Sequence, residues 1–263
     1  MLRTRLFCII SISLCALFSS RAQSLESQAV AYERIIYDGA PLDEVNDALR
    51  GKADCYMQLG RWREASETLA RVRVFALSPE ERQALLYKQE LCFYLGGEFS
   101  QAAAFVSEVE PVSKEILLLH ALSLAYAGQY DESEIYAARF MSWDGENPHL
   151  QDLFKLYEGH PRPRSELTSI LLSVLPPLGH LYNGAPSEGL LSAGLNAGAL
   201  AFTVANLLGG YWVTGIVGGA IALNYTVMGS QERNAGLLEI YKRNAPLEFG
   251  DRLRDFLNYT STQ

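Results

Sequence analysis

His180 is the residue whose type and setting could most directly support chemistry. It lies in residues 175–184, which read Leu-Pro-Pro-Leu-Gly-His-Leu-Tyr-Asn-Gly and separate a polar part of the chain from an apolar part. An imidazole at a membrane surface could transfer protons or bind a ligand. We favour the other interpretation, in which the ring hydrogen-bonds to orient its loop. No His, Cys or carboxylate lies nearby at ligand spacing, so no metal site is predicted.

The rest of the sequence offers no constellation typical of catalysis. It contains no nucleophile elbow, phosphate-binding loop or metal-binding spacing, so we expect neither an enzyme nor a cofactor. The chain has a formal net charge of −8 and no basic stripe. Because contacts to phosphates need clustered Lys and Arg, we also expect no nucleic-acid partner.

Charge divides the chain into two environments. Glu188 is the only formally charged residue between Leu167 and Ser230, whereas the rest of the 263 residues carries nearly all of the charged side chains. One mixed core would not separate charge in this way. We therefore predict a water-facing part followed by a lipid-facing part.

Residues 1–22 are typical of a signal peptide. Two arginines precede an apolar run over 6–18, which is short for a membrane span, and small residues at 20–22 fit cleavage before Gln23. The alternatives are an uncleaved anchor and a lipoprotein through Cys15, which the bulky residue before that cysteine disfavours. We expect an exported mature chain.

Cys55 and Cys92 remain after cleavage, and they occupy the same position in two adjacent repeats. Equivalent positions on stacked helices lie ~10 Å apart. A disulfide needs Cα atoms within about 7 Å. We predict two separate buried thiols, with a disulfide as the alternative.

Three segments share a pattern of Gly, one residue, an aromatic residue, two residues and a small residue. The aligned glycines Gly60, Gly97 and Gly128 are spaced by 37 and 31 residues. Glycine can end a first helix and permit a tight turn, the aromatic residue opens the second helix, and the small residue lets the two helices approach. Large apolar residues four and eleven positions before each glycine share one helix face.

The pattern predicts an all-α array whose helix starts carry caps. Ser78 and Glu81 form a capping box with Pro79 at the first helical position, and Asp131 with Glu134 is expected to do the same. The predicted helices are 27–37, 43–59, 62–75, 79–95, 99–109, 113–127, 131–141 and 148–157.

Residues 43–140 resemble three degenerate tetratricopeptide repeats, whose usual period is about 34 residues. Glu90 departs from the pattern where the family prefers a small residue, Ser133 replaces Ala, and an extra glycine in the second repeat leaves its register uncertain by one. The resemblance implies that a protein or peptide partner binds the concave face, and packing within the array is the alternative role for these residues. The implied groove residues are Arg50, Asp54, Met57, Gln58, Tyr87, Leu91, Tyr94, Leu118, Leu122 and Tyr126.

Residues 188–208 and 211–228 are each about as long, as helices, as the ~30 Å hydrocarbon core of a bilayer. Gly209-Gly210 between them predicts a tight turn and an antiparallel hairpin, while buried helices of a soluble domain are the alternative. Small residues four apart are typical of helix packing in lipid. These pairs are Gly194 with Gly198 and Gly215 with Gly219, and cross-hairpin hydrogen bonds are expected from Asn196, Asn206, Asn224 and Thr226.

The stretch before this hairpin resembles the Pro-Gly-x-Gly-Gln-x-Tyr-x-Gly motif of a bacterial two-transmembrane-helix domain. Pro177 stands for the first glycine and His180 for the glutamine. The resemblance covers about residues 167–235 and implies topology more than activity. The residues that match or replace the motif where the chain enters the membrane are Pro176, Pro177, Gly179, His180, Tyr182 and Gly184.

The sequence therefore predicts a cell-envelope protein anchored in a lipid bilayer, with its repeats on the periplasmic side. Basic residues beside the hairpin oppose this sidedness, but long exported domains cross largely regardless of such charges. We expect a scaffold or adaptor for a protein partner. The alternative is a subunit of a transport or secretion assembly that forms a homo-oligomer through the hairpin. The expected parts are a signal peptide (1–22), a repeat domain (23–160), a Pro-rich joint and loop (161–187), the hairpin (188–230) and a polar tail with two short amphipathic helices (231–263).

Overall fold

The structure is a computed structural model that describes residues 22–175 and 177–261. Every regular element among these residues is helical, which confirms the all-α fold class. The proposed signal peptide, apart from its last residue, and Pro176 lie outside the described residues. The chain forms two compact units, one that runs to Glu158 and includes the segment from Leu253 onward, and one from Gly159 to Arg252.

The first unit is a chain of helical hairpins in which each helix packs on the next. A 3₁₀ turn, Val74–Ala76, precedes the fourth helix. The predicted helices all exist, but the third ends at Leu69 rather than at residue 75, the fifth ends at Phe105 rather than at residue 109, and other ends shift by up to five residues. The helices are α1 (22–37), α2 (Leu42–Gln58), α3 (Trp62–Leu69), α4 (Pro79–Leu95), α5 (Phe99–Phe105), α6 (Lys114–Tyr126), α7 (Tyr130–Met141) and α8 (Leu150–Glu158).

One turn geometry recurs inside each hairpin. Gly60, Gly97 and Gly128 have φ angles of 70°, 77° and 80°, in the left-handed region that favours glycine. The residue after each glycine donates its backbone N–H to the carbonyl five positions before it and so closes the turn, as in Arg61 N–H to Tyr56 O at 2.9 Å. The positive φ at Gly97 settles the register of the second repeat.

Of the two predicted capping boxes, one is confirmed and one is wrong. Ser78 Oγ accepts from Glu81 N–H at 3.2 Å, and the Glu81 carboxylate accepts from Ser78 N–H at 3.0 Å. Helix α7 instead begins at Tyr130 after Gln129, whose side chain makes no capping bond. Asp131 already lies inside the first turn, where its carboxylate interacts favourably with the helix dipole but does not cap the helix.

The cysteines are separate buried thiols, as predicted. Cys92 belongs to a core with Leu49, Ala53 and Leu69, and Cys55 packs against α1. Burial raises the pKa of the Cys92 thiol to about 11, so it stays protonated and unreactive at neutral pH.

Glu90, the departure from the repeat pattern, is fully buried opposite His120. Its Oε2 atom lies 3.1 Å from His120 Nε2, although the angle does not make a regular hydrogen bond, and Ser123 Oγ donates to Oε1 at 3.4 Å. Both side chains are 0 % exposed. Burial raises the pKa of Glu90, against a smaller lowering by His120.

The second unit contains helices α9 (Glu166–Ser173), α10 (Leu178–Tyr182), α11 (Pro186–Leu208) and most of α12 (Gly219–Ser261), with a π-helical turn at Thr214–Gly218. The expectation of two short helices in the tail was wrong, because α12 continues unbroken through Pro246. Gly210 is the last glycine with a positive φ among the described residues, and the backbone from residue 212 to residue 261 is helical without a break.

Candidate functional site

The predicted groove residues lie on α2, α4 and α6, and the charged ones among them are already paired. Arg50 contacts Asp47 and, at 3.1 Å, Glu81, while Lys88 Nζ lies 2.6 Å from Asp54. These ion pairs link α2 to α4. Gln58 is exposed, and the half-buried members are Met57, Tyr87, Leu91, Tyr94 and Leu118.

The third-repeat end of this face is in contact with the chain's own C-terminal segment. Tyr126 is buried, its ring stacks on Phe99 with centroids 4.4 Å apart, and its hydroxyl accepts from Arg254 Nη1 at 3.3 Å. Leu122 is also buried, and Leu253 and Leu257 of the C-terminal segment have almost no exposed surface. Leu122 and Tyr126 are therefore less accessible than the predicted groove residues on α2 and α4.

The sequence did not predict a second groove, of about 1160 Å³, between two loops of the repeat unit. We call it the loop groove. One wall is residues 74–77, before α4, and the other is residues 108–112, before α6. Of the predicted residues, only Tyr87 lines it. Its apolar lining comes from Val74, Phe75, Leu77, Leu86, Tyr87, Val109, Val112 and Ile116.

Side-chain amides fasten both walls of the loop groove by the same pattern. Asn46 is buried, donates to Arg73 O at 3.2 Å and accepts from Arg73 N–H at 2.9 Å. Gln83 donates to Glu108 O at 3.3 Å and accepts from Glu110 N–H at 2.9 Å. Asn46 and Gln83 are separated by the same interval as Gly60 and Gly97, so they are repeat-equivalent positions. A single polar residue inside an amphipathic helix does not indicate that its side chain binds the backbone of a distant loop, so these contacts could not be predicted from the sequence.

In the second unit, α11 and α12 face each other in one antiparallel register. Thr226 donates to Asn196 Oδ1 at 2.9 Å. Arg233 donates two hydrogen bonds to the Glu188 carboxylate, at 2.6 and 2.7 Å. Gly219 packs against Thr203 and Gly215 against Leu207. In these four pairs, each step forward along α11 matches a nearly equal step backward along the opposing helix, as expected for one continuous antiparallel register. The register places Ser192 opposite Ser230, and both hydroxyls are buried with no hydrogen bond inside the described residues.

The polarity of the hairpin is opposite to that of a water-soluble helix pair. Its interface holds mostly small and polar side chains together with Leu207, while most of the large apolar side chains point outward. Helix α11 is the one described helix long and apolar enough to cross a membrane, and only 6 % of its most apolar window is buried. A soluble helix buries its apolar stripe and exposes its polar face. The outward side chains include Leu190, Leu191, Leu195, Leu200, Val204, Leu208, Val213, Ile216, Ile221 and Met228, with Tyr211 and Trp212 at the turn.

His180 lies in a buried hydrogen-bond network at the open end of this hairpin. Asn234 Nδ2 is 3.2 Å from His180 Nδ1, and Asn183 Nδ2 donates to Ser169 Oγ at 2.9 Å and to Asn234 Oδ1 at 3.2 Å. An amide nitrogen can only donate, so Nδ1 accepts and the neutral ring carries its proton on Nε2. Burial lowers the pKa of His180 and keeps the ring neutral at pH 7. This bonding matches the structural interpretation of His180.

The other motif residues surround this network. Gly179 is buried, and a Cβ there would meet Asn234 Nδ2 at 2.7 Å and Ser173 at 2.8 Å. Tyr182 accepts from Ser165 N–H at 2.8 Å. Gly184 has a φ of 79°, and Pro177 is half-buried just before α10. The motif therefore joins α9, α10 and α12, and no group of three His, Cys, Asp or Glu in the described part of the chain could hold a metal ion.

The four predicted packing glycines fall into two classes. Gly215 and Gly219 are buried in the hairpin interface, whereas Gly194 and Gly198 are exposed with open space beside them. A Cβ at Gly219 would overlap the Thr203 hydroxyl. The first pair thus serves the hairpin itself, and the second is on its outer surface.

Gly219→Val is expected to open the hairpin, because the added side chain overlaps Thr203 and overpacking costs about 1–3 kcal/mol. The measurement is the rate of disulfide formation between Ser192→Cys and Ser230→Cys in the full chain, which should fall. Gly198→Val is the matched control and should leave the rate unchanged. Equal rates in both variants would show that this register is not the one in the protein.

No family model, curated protein or solved structure matches this chain. The tetratricopeptide and two-transmembrane-helix resemblances therefore stay predictions.

Proposed function

We propose that this is a membrane-anchored, exported repeat protein of the cell envelope that serves as a scaffold or adaptor for a protein partner. Helices α11 and α12 fix the chain in the bilayer, and the repeat unit recruits the partner. The protein performs no catalysis and needs no cofactor.

The observation that carries the proposal is the inverted polarity of the hairpin. About 23 helical residues of α11 rise roughly 34 Å, enough for the ~30 Å hydrocarbon core. The outer surface is apolar, and Tyr211 and Trp212 at the turn are residue types that favour the membrane–water boundary. At the other end, the Glu188–Arg233 pair and the His180 network supply a polar end suited to the opposite boundary.

The repeat unit supports the binding part of the proposal. Its helices form hairpins that leave half-buried Tyr87, Leu91 and Tyr94 along α4. Tyrosine buries a large area at an interface with little loss of side-chain freedom, so such a face suits a protein partner. The acidic net charge supports a protein rather than a nucleic-acid partner.

A pull-down after mild detergent extraction and crosslinking tests the scaffold role. We expect a partner to be crosslinked to the wild-type chain and lost when Tyr87 and Leu91 are both changed to Ser. Ile135→Ser, at an exposed position of α7, is the matched control and should retain the partner. Recovery of the free monomer alone would contradict the proposal.

The second candidate is a subunit of a transport or secretion assembly that oligomerises through the hairpin. The exposed Gly194 and Gly198 favour it, because an open pair of small residues on a lipid-facing helix allows a second helix to approach. Gly194→Leu with Gly198→Leu is then expected to convert a detergent-solubilised oligomer to the monomer, as measured by size-exclusion chromatography with light scattering. An unchanged mass would contradict this candidate.

A further inference from the structure

The loop groove exposes large apolar side chains on both of its walls. Phe75 is 82 % exposed on one wall, and Val112 is 69 % exposed on the other. Their neighbours Leu86 and Val109 are buried and continue the apolar lining inward. Contiguous apolar surface of this kind, bordered by polar residues, is typical of an interaction site.

Carboxylates outnumber basic groups around the same groove. Glu80, Glu108 and Glu110 line it together with one arginine, Arg82. None of these four side chains takes part in an ion pair within residues 22–175 and 177–261. The border therefore carries a net negative charge, whereas the neighbouring Glu81 is paired with Arg50.

The walls are held in place before any partner arrives. The two hydrogen bonds of the Asn46 amide fix the backbone at Arg73. Those of the Gln83 amide fix it at Glu108 and Glu110. A site that is already ordered loses less conformational entropy on binding, so more of the contact energy appears as affinity.

We propose that the loop groove binds a short peptide segment of the partner protein, in which apolar side chains are flanked by lysine or arginine. The apolar side chains insert between Phe75 and Val112, and the basic groups face the three carboxylates. A phosphate-bearing ligand, whether nucleic acid or lipid headgroup, would meet repulsion from these carboxylates. The inference rests on the proposed scaffold function and names the chemistry of its partner.

Selection of short random peptides on the full chain in detergent micelles tests the inference. Enriched peptides are expected to combine aromatic or aliphatic residues with Lys or Arg. The affinity of a selected peptide should fall about tenfold or more in Phe75→Ser with Val112→Ser, and again in Glu108→Lys with Glu110→Lys. Added salt should weaken binding to the wild-type chain.

Controls come from exposed positions outside the groove. Ile135→Ser and Glu132→Lys on α7 remove a similar apolar group and a similar charge, and both should leave the affinity unchanged. All variants change exposed side chains, so each should retain its helical circular dichroism, and a variant that loses it is replaced by Phe75→Ala or Glu110→Gln.

Several outcomes would overturn the inference. Enrichment of acidic peptides, enrichment of peptides without apolar residues, or selected peptides that bind the groove variants as tightly as the wild type would each contradict it. If the last outcome occurs and Leu91→Ser with Tyr94→Ser, at two α4 positions that do not line the loop groove, abolishes binding, the scaffold function survives and only the location is wrong. If no peptide is enriched, the inference fails, and the binding role fails with it only if the crosslinked pull-down also recovers the free monomer alone.

Discussion

Replacing Leu195 and Leu200 together with aspartate is expected to remove the chain from the membrane fraction. Both leucines are exposed near the middle of α11. If this surface faces lipid, each aspartate costs about 2.5–3.5 kcal/mol at the centre of a membrane helix, so the pair costs roughly 5–7 kcal/mol. The measurement is the fraction of protein that stays with membranes after an alkaline wash.

The same double variant has the opposite expectation if the hairpin is surrounded by water. Exposed surface substitutions in a soluble protein usually change stability by no more than about 0.5 kcal/mol. Leu195→Ile with Leu200→Ile is the matched control and should stay in the membrane. A double-aspartate variant that sediments with membranes as the wild type does would contradict the lipid-facing assignment.

The second large effect is expected at the buried Glu90–His120 pair. His120→Leu removes the basic partner of a carboxyl group that is fully buried, and breaking such a pair typically costs about 3–5 kcal/mol. Glu90→Leu with His120→Leu leaves no charge behind and should recover most of that loss, because an apolar pair of similar volume can replace a buried ion pair. Thermal or denaturant unfolding of the repeat unit within the full chain measures the difference.

The destabilisation by His120→Leu should depend on pH. Burial raises the pKa of Glu90 in the folded state above its value in the unfolded chain, and removal of His120 eliminates the opposing influence. A raised acid pKa gives stability that is present below the unfolded pKa, near about 4.3, and is lost as pH rises through the folded pKa. The free energy of unfolding of His120→Leu should therefore lie further below that of the double variant at pH 8 than at pH 5. A gap that is constant with pH would show that Glu90 does not titrate there.

Local signals predicted the helical hairpins well because each signal acts within a few residues. Gly60, Gly97 and Gly128 all adopt the positive φ that a turn of this type requires. Ser78 caps α4 as expected, since its hydroxyl needs only the backbone three residues away. Where two residues compete to start a helix, the local rule failed, and α7 begins one residue before Asp131.

The candidate sites were harder to predict because they depend on contacts between distant residues. The loop groove exists because Asn46 and Gln83 hold loops that lie about 27 positions later in the chain. The network around His180 needs Asn234, 54 positions away. Charge depletion indicated that residues 167–230 differ from the rest, but it could not tell which glycines face the hairpin and which face outward.

Fractionation combined with protease accessibility tests membrane anchoring and sidedness together. We expect the full chain to stay in membranes after an alkaline wash, and protease added on the non-cytoplasmic side to remove the repeat unit while the hairpin remains protected. Recovery of the chain in the soluble fraction would contradict membrane anchoring. Repeats that are cleaved only after the cytoplasmic side is opened would contradict the proposed sidedness.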